Sequence, residues 1–186
     1  EATYSISGRV TDGSGNGLSG VTITAQSLNC AEATAQRPVL LVTGWDGSEG
    51  KELSEDPNLG EFAKFLTNSD SGYKEGCNLF YAKETSPKKW QAENAVVVRD
   101  QICSAYDAVR DNMPALAGKP FTIIGHSYGG LRSRAYLENP NLYGKPCSAS
   151  DPDVVKVDKL ITLGTPHSGE IGDLPLAFAL GLVGFV

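Results

Sequence analysis

The chain has 186 residues, 40 % hydrophobic and 20 % charged, a profile that fits a folded domain with a sizeable core and excludes wholesale disorder and a polytopic membrane protein. Its 16 Lys and Arg against 22 Asp and Glu leave a net charge of −6, and the basic residues are scattered. A nucleic-acid partner, which needs a basic face, is therefore not expected.

The first residues, 4–26, read as a hairpin. Tyr4, Ile6, Gly8 and Val10 alternate on one side of the turn-rich Asp12-Gly13-Ser14-Gly15-Asn16-Gly17, and Val21, Ile23 and Ala25 alternate after it. The stretch ISGRVTDGSGNGLSGVTITA resembles the opening of the carboxypeptidase regulatory-like family, a small immunoglobulin-like β-sandwich of exported proteins, and the resemblance covers only residues 1–27. A two-stranded hairpin is marginal alone in water, so it packs on something else or belongs to a longer module. Residues 28–37 read as a linker.

From Pro38 onward, apolar runs of strand length alternate with helical patterns. Strands are expected over 38–42, 77–82, 121–125 and 157–163. Helices are expected over 59–66, 90–113 and 128–138, the last stopped by Asn139-Pro140. In the long helix, Ala95, Val98, Ile102, Ala105, Tyr106, Val109 and Met113 recur at spacings of three and four and form its inner stripe. Alternation of this kind with continuous apolar strands implies an α/β domain over 38–186, a mainly parallel sheet with helices on both faces.

Four cysteines (Cys30, Cys77, Cys103 and Cys147) make no CxxC pair and form no spaced metal cluster with the two histidines, His126 and His167, so a zinc site is not expected. The chain starts at Glu1 with a single methionine, Met113, which reads as the processed end of a secreted protein. An even cysteine count there implies two disulfides in one of three pairings, with buried free thiols as the alternative.

The chemistry concentrates in FTIIGHSYGG, residues 121–130, where Gly-x-Ser-x-Gly stands between a predicted strand and a predicted helix. A serine on so sharp a turn projects its oxygen above the sheet edge, and flanking glycines leave no side chain to clash. The helix N-terminus behind it favours developing negative charge.

With PVLLVTGWDG at 38–47 and VDKLITLGTPHSG at 157–169, this segment makes residues 37–186 resemble an α/β-hydrolase of the bacterial secreted lipase and esterase kind. The resemblance implies Ser127 as nucleophile and the backbone N–H groups of Tyr128 and Trp45 as the oxyanion hole. The usual His-Gly before the second donor is Thr43-Gly44 here, a departure that leaves Trp45 less secure than Tyr128. Trp45 and Tyr128 are also expected to line the mouth of an acyl pocket or simply to pack. His126 is expected to serve the turn, with a minor part in substrate binding. Arg132 and Arg134, on the same helix, read as solvated or salt-bridged.

The family order continues with an acid and then a histidine. His167 does not occupy the position of the base, and Asp173 stands where the family begins its lid, so the triad is expected to be completed past Val186. The stretch 174–186 carries no charged side chain and is too short to span a bilayer. Residues 170–186 read as the entrance of an apolar lid or as a core helix whose partners lie downstream. The acidic, glycine-rich stretch 46–56 reads as a solvated loop, with a structural calcium site as the lesser alternative; no other cofactor is expected.

These readings converge on a secreted, lipase-like serine ester hydrolase acting on acylglycerols, touching lipid interfaces transiently and not inserting stably into membranes. Two rivals stand beside it. One is an acyltransferase using the same serine. The other is a non-catalytic extracellular binding protein on a degenerate hydrolase scaffold.

Overall fold

Four apolar segments pair into one parallel sheet. In the computed structural model, which describes residues 11–12, 14–19, 28–45, 52–68, 70–82, 91–149 and 152–168, these are β1 (Val39–Val42), β2 (Leu79–Tyr81), β3 (Phe121–His126) and β4 (Val157–Leu163). Their order across the sheet is β2-β1-β3-β4, so the chain steps out to β2 and returns past β1 to β3. All three pairings are parallel, with Leu40 opposite Phe80 on one side and Ile123 on the other, and Gly125 opposite Thr162.

Alternation along β1 divides the core in two. Leu40 and Val42 face α2 (Gln91–Asn112) and α3 (Tyr128–Glu138), where they meet Val98, Ile102, Val109, Phe121, Ile123 and Tyr136. Val39 and Leu41 face the opposite way, toward α1 (Gly60–Thr67) and the 3-10 turn Leu53–Glu55, and meet Leu59, Ala63, Leu79 and Tyr81. Helices therefore cover both faces, as the continuous apolar strands imply. The predicted stripe of α2 is buried from Ala95 through Val109, with Met113 packed at its edge.

The edge strand β4 departs from that picture. Its apolar run reads as buried, yet Ile161 is 43 % and Leu163 36 % exposed. It hydrogen-bonds to β3 alone among the described strands, and an apolar run fixes strand character but not what covers it.

Both disulfides form, as Cys30–Cys77 and Cys103–Cys147. The first, with the bond from Ala35 N–H to Gly72 O (2.9 Å), fastens the 28–37 segment to the approach to β2. The second joins α2 to the loop after α3, where the Arg99 guanidinium also donates to the Pro146 and Cys147 carbonyls (2.9 and 3.2 Å). Most of the hairpin expected over 1–27 lies outside the described residues. Within them, Thr11 pairs antiparallel with Gly17 around a turn in which the Asp12 carboxylate accepts the Ser14 and Asn16 N–H groups. Residues 46–51 and 170–186, and with them Asp173, also lie outside the described residues.

Candidate active site

β3 ends at His126 and α3 begins at Tyr128, so a single residue, Ser127, makes the whole turn. It does so with φ 52° and ψ −125°, the only positive φ outside glycine among the described residues. Such a conformation costs on the order of 1–3 kcal/mol and persists only where the surroundings impose it. Here they do. Ser127 N–H donates to Leu163 O at the end of β4 (2.7 Å), and its carbonyl accepts from Thr165 Oγ1 (2.9 Å) and Gly130 N–H (3.1 Å).

The glycines beside the turn are required by close approach. A Cβ on Gly125 would sit 2.6 Å from Gly130 Cα, and one on Gly129 would sit 2.2 Å from Val42 O and 2.4 Å from Thr43 O. Helix α3 thus starts with its backbone pressed against the end of β1. Its Ncap side chain makes no capping bond among the described residues, and the Ser127 side chain stands at the positive end of the helix dipole.

The end of β1 supplies the other wall. A Cβ on Gly44 would lie 3.0 Å from Ser127 Cβ and 3.3 Å from His126 Nδ1, which places the 43–45 backbone directly over the turn. The Trp45 ring, half-buried, packs edge-on against the Tyr128 ring at 5.7 Å. Tyr128 is only 6 % exposed and turns inward. Burial raises its hydroxyl pKa against the opposing pull of Arg132.

Arg132 corrects the sequence reading. Expected to be solvated or salt-bridged, it is fully buried. Its Nη1 donates to Thr43 O and Gly44 O, both at 3.2 Å, and its guanidinium lies 4.6 Å from the centre of the Tyr128 ring. Nε and Nη2 are buried without a hydrogen-bond partner among the described residues. Burial pulls its pKa down to about 10, with Tyr128 and Tyr81 opposing, so it remains charged at neutral pH. Arg134 behaves as read: it is exposed and pairs with Glu138 at 2.8 Å. The difference follows from helical spacing, because Arg132 is one turn on from Tyr128 and shares its buried face with Ser133 and Tyr136.

A second buried polar group lies on the α1 side. The Asp56 carboxylate accepts the Tyr81 hydroxyl and the Asn58 and Leu59 N–H groups (both 2.7 Å). Burial pushes its pKa up, but the Tyr81 hydroxyl and the two amides help to outweigh burial and hold it below the usual carboxylate range.

Ser127, Tyr128, Trp45 and His126 are thus brought to one point at the C-terminal edge of the sheet. His167 stands apart on the loop after β4, exposed, with Nε2 3.0 Å from Thr162 Oγ1. Among the described residues no group of three His, Cys, Asp or Glu side chains is arranged to hold a metal ion. Nor is any described helix long and apolar enough to cross a membrane.

Residues 38–180 match the family model of palmitoyl protein thioesterases. Among solved structures, the mature form of a Bacillus licheniformis lipase superposes with a TM-score of 0.50 at 23 % identity, over 80 % of this chain and 51 % of the lipase. That likeness shows the α/β-hydrolase fold, and the chain spans about half the length of that lipase. No curated protein matches the chain.

Proposed function

The chain belongs to the palmitoyl protein thioesterase family, and from that premise we propose that it hydrolyses acyl esters or thioesters through an acyl-enzyme on Ser127. The observation that carries the reading is the strained Ser127 turn, held by bonds to Leu163, Thr165 and Gly130 at the start of α3.

In the proposed reaction, Ser127 Oγ attacks the acyl carbonyl and gives its proton to a general base. Negative charge gathers on the carbonyl oxygen, where the Tyr128 and Trp45 N–H groups receive it. The thiol or alcohol leaves with a proton, and water then attacks the acyl-serine, releasing the acid and restoring the hydroxyl. Neither His126, folded against Gly44, nor His167, engaged with Thr162, is assigned the base. In this reading the half-buried Trp45 side chain meets the acyl chain, while Tyr128 contributes its backbone and packs inward. The family makes a long-chain acyl thioester the first substrate to try, and an acylglycerol the second. The two disulfides support a location outside the reducing cytosol.

The test is labelling and turnover in the full-length protein. A fluorophosphonate should add once, on Ser127, and Ser127→Ala should lose at least about a thousandfold in kcat on a palmitoyl thioester and a p-nitrophenyl ester. Equal rates in the parent and Ser127→Ala would overturn the proposal.

A further inference from the structure

Two loops must agree in position for an oxyanion to be held between Trp45 and Tyr128, and one side chain touches both. Arg132 Nη1 is bonded to the Thr43 and Gly44 carbonyls, and the same guanidinium lies on the Tyr128 ring. The Gly44 carbonyl matters most. It shares a peptide plane with the Trp45 N–H, and in a trans peptide the two point in opposite directions. Holding that carbonyl inward therefore turns the Trp45 N–H away from Arg132, and Gly44 itself abuts Ser127. Glycine at 44 has no side chain to bias its dihedrals, so the bond from Arg132 adds a constraint on this peptide that the residue itself does not supply.

The energetics point the same way. A buried guanidinium whose Nε and Nη2 have no partner among the described residues is an expensive way to stabilise a fold, and an apolar side chain of similar size would fill the space more cheaply. What an apolar side chain cannot do is grip two consecutive carbonyls at once.

We propose that Arg132 is a positioning residue of the acyl-transfer site, fixing the Gly44–Trp45 peptide so that the Trp45 N–H is presented to the developing oxyanion. The proposal rests on the reading of Ser127 as nucleophile. Arg132 touches no reacting atom, and its effect falls on the transition state rather than on substrate binding.

The experiment compares Arg132→Met and Arg132→Lys in the full-length protein, with kcat and KM measured on one p-nitrophenyl ester and the fold followed by circular dichroism and Tm. Removing an oxyanion donor outright costs about a hundred- to a thousandfold in kcat, so a misaligned one should cost about tenfold to a hundredfold. Arg132→Met should show that loss with KM within about threefold, and phosphonylation of Ser127 should slow in parallel. Arg132→Lys, whose ammonium satisfies fewer of the same acceptors, should fall between the two. A folded Arg132→Met with unchanged kcat, or one that raises KM and keeps kcat, overturns the proposal. Should Arg132→Met not fold, Arg132→Lys decides: a reduced kcat at unchanged KM supports the proposal, and wild-type kinetics overturn it. Activity surviving in Ser127→Ala would instead remove the premise, so the two failures are told apart.

Discussion

The two ends of α3 are held in opposite ways. At the start, the helix is fixed by shape: Gly129 lies against the Val42 and Thr43 carbonyls, the Ser127 backbone is clamped between Leu163 and Thr165, and a buried guanidinium reaches back to the end of β1. At the far end it is fixed by separable fasteners. Tyr136 stacks edge-on with Tyr143 at 5.7 Å, Arg134 pairs with Glu138, and the following loop is bonded to α2 through Cys103–Cys147. The contrast teaches that the strained turn is defined by contacts with no slack, whereas the rest of the helix needs only to be held somewhere near. Damage at the first end should fall on chemistry, and damage at the second on stability.

The hardest test of that division is Gly129→Ala. The new methyl would meet two backbone carbonyls, and neither can move without shifting β1. We expect a stability loss of about 3 kcal/mol or more, in the upper range for single substitutions. Any folded fraction should lose at least about a hundredfold in kcat, because the proposed oxyanion donors separate. Chemical denaturation and esterase kinetics check both. Near-normal activity in a stable Gly129→Ala would mean that the turn has slack after all.

That turn was legible in the sequence because its requirements are local. Gly-x-Ser-x-Gly between an apolar run and a helical pattern leaves one geometry in which all three residue types make sense, and β3 and α3 lie where the pattern puts them. Arg132 was not legible, since two arginines two positions apart look alike until the helix is assigned a buried face. The signal was present in its one-turn spacing from Tyr128. The disulfide partners were equally out of reach, because four cysteines allow three pairings and only the packing of α2 against the loop after α3 brings Cys103 to Cys147. The exposure of Ile161 and Leu163 escaped for a related reason: burial is a property of neighbours, not of a strand's own composition.

At the far end, replacing Cys103 and Cys147 by alanine opens a crosslink spanning 44 positions. Chain entropy places its value at about 2–4 kcal/mol. The expected result is a lower urea midpoint with kcat and KM unchanged at 25 °C, since the start of α3 keeps every contact that shapes the site. A loss of kcat in the folded variant would show that strain travels along the helix, and the two ends would no longer count as independent.

The smallest effect tests how far the rigid end extends. Asp56 ties the turn before α1 to the end of β2, the neighbour of β1, through the Tyr81 hydroxyl and the Asn58 and Leu59 amides. Its carboxyl pKa is depressed in the folded state, with burial opposing and the hydrogen bonds prevailing. A depressed acid contributes stability that is fully present above the unfolded value of about 3.9 and is lost as pH falls through the lower folded value. Asp56→Asn should therefore cost about 1–2 kcal/mol at pH 7, the scale of a charge-assisted bond replaced by a neutral one. The gap between the two proteins should stay constant down to about pH 4 and close below it. Because the bonds of Asp56 go to Tyr81, Asn58 and Leu59 and not to the carbonyls that Arg132 grips, kcat should change less than about threefold. A gap that persists at acid pH would assign the support to packing rather than to the carboxylate, and a large fall in kcat would bring Asp56 inside the machinery that presents the Trp45 N–H.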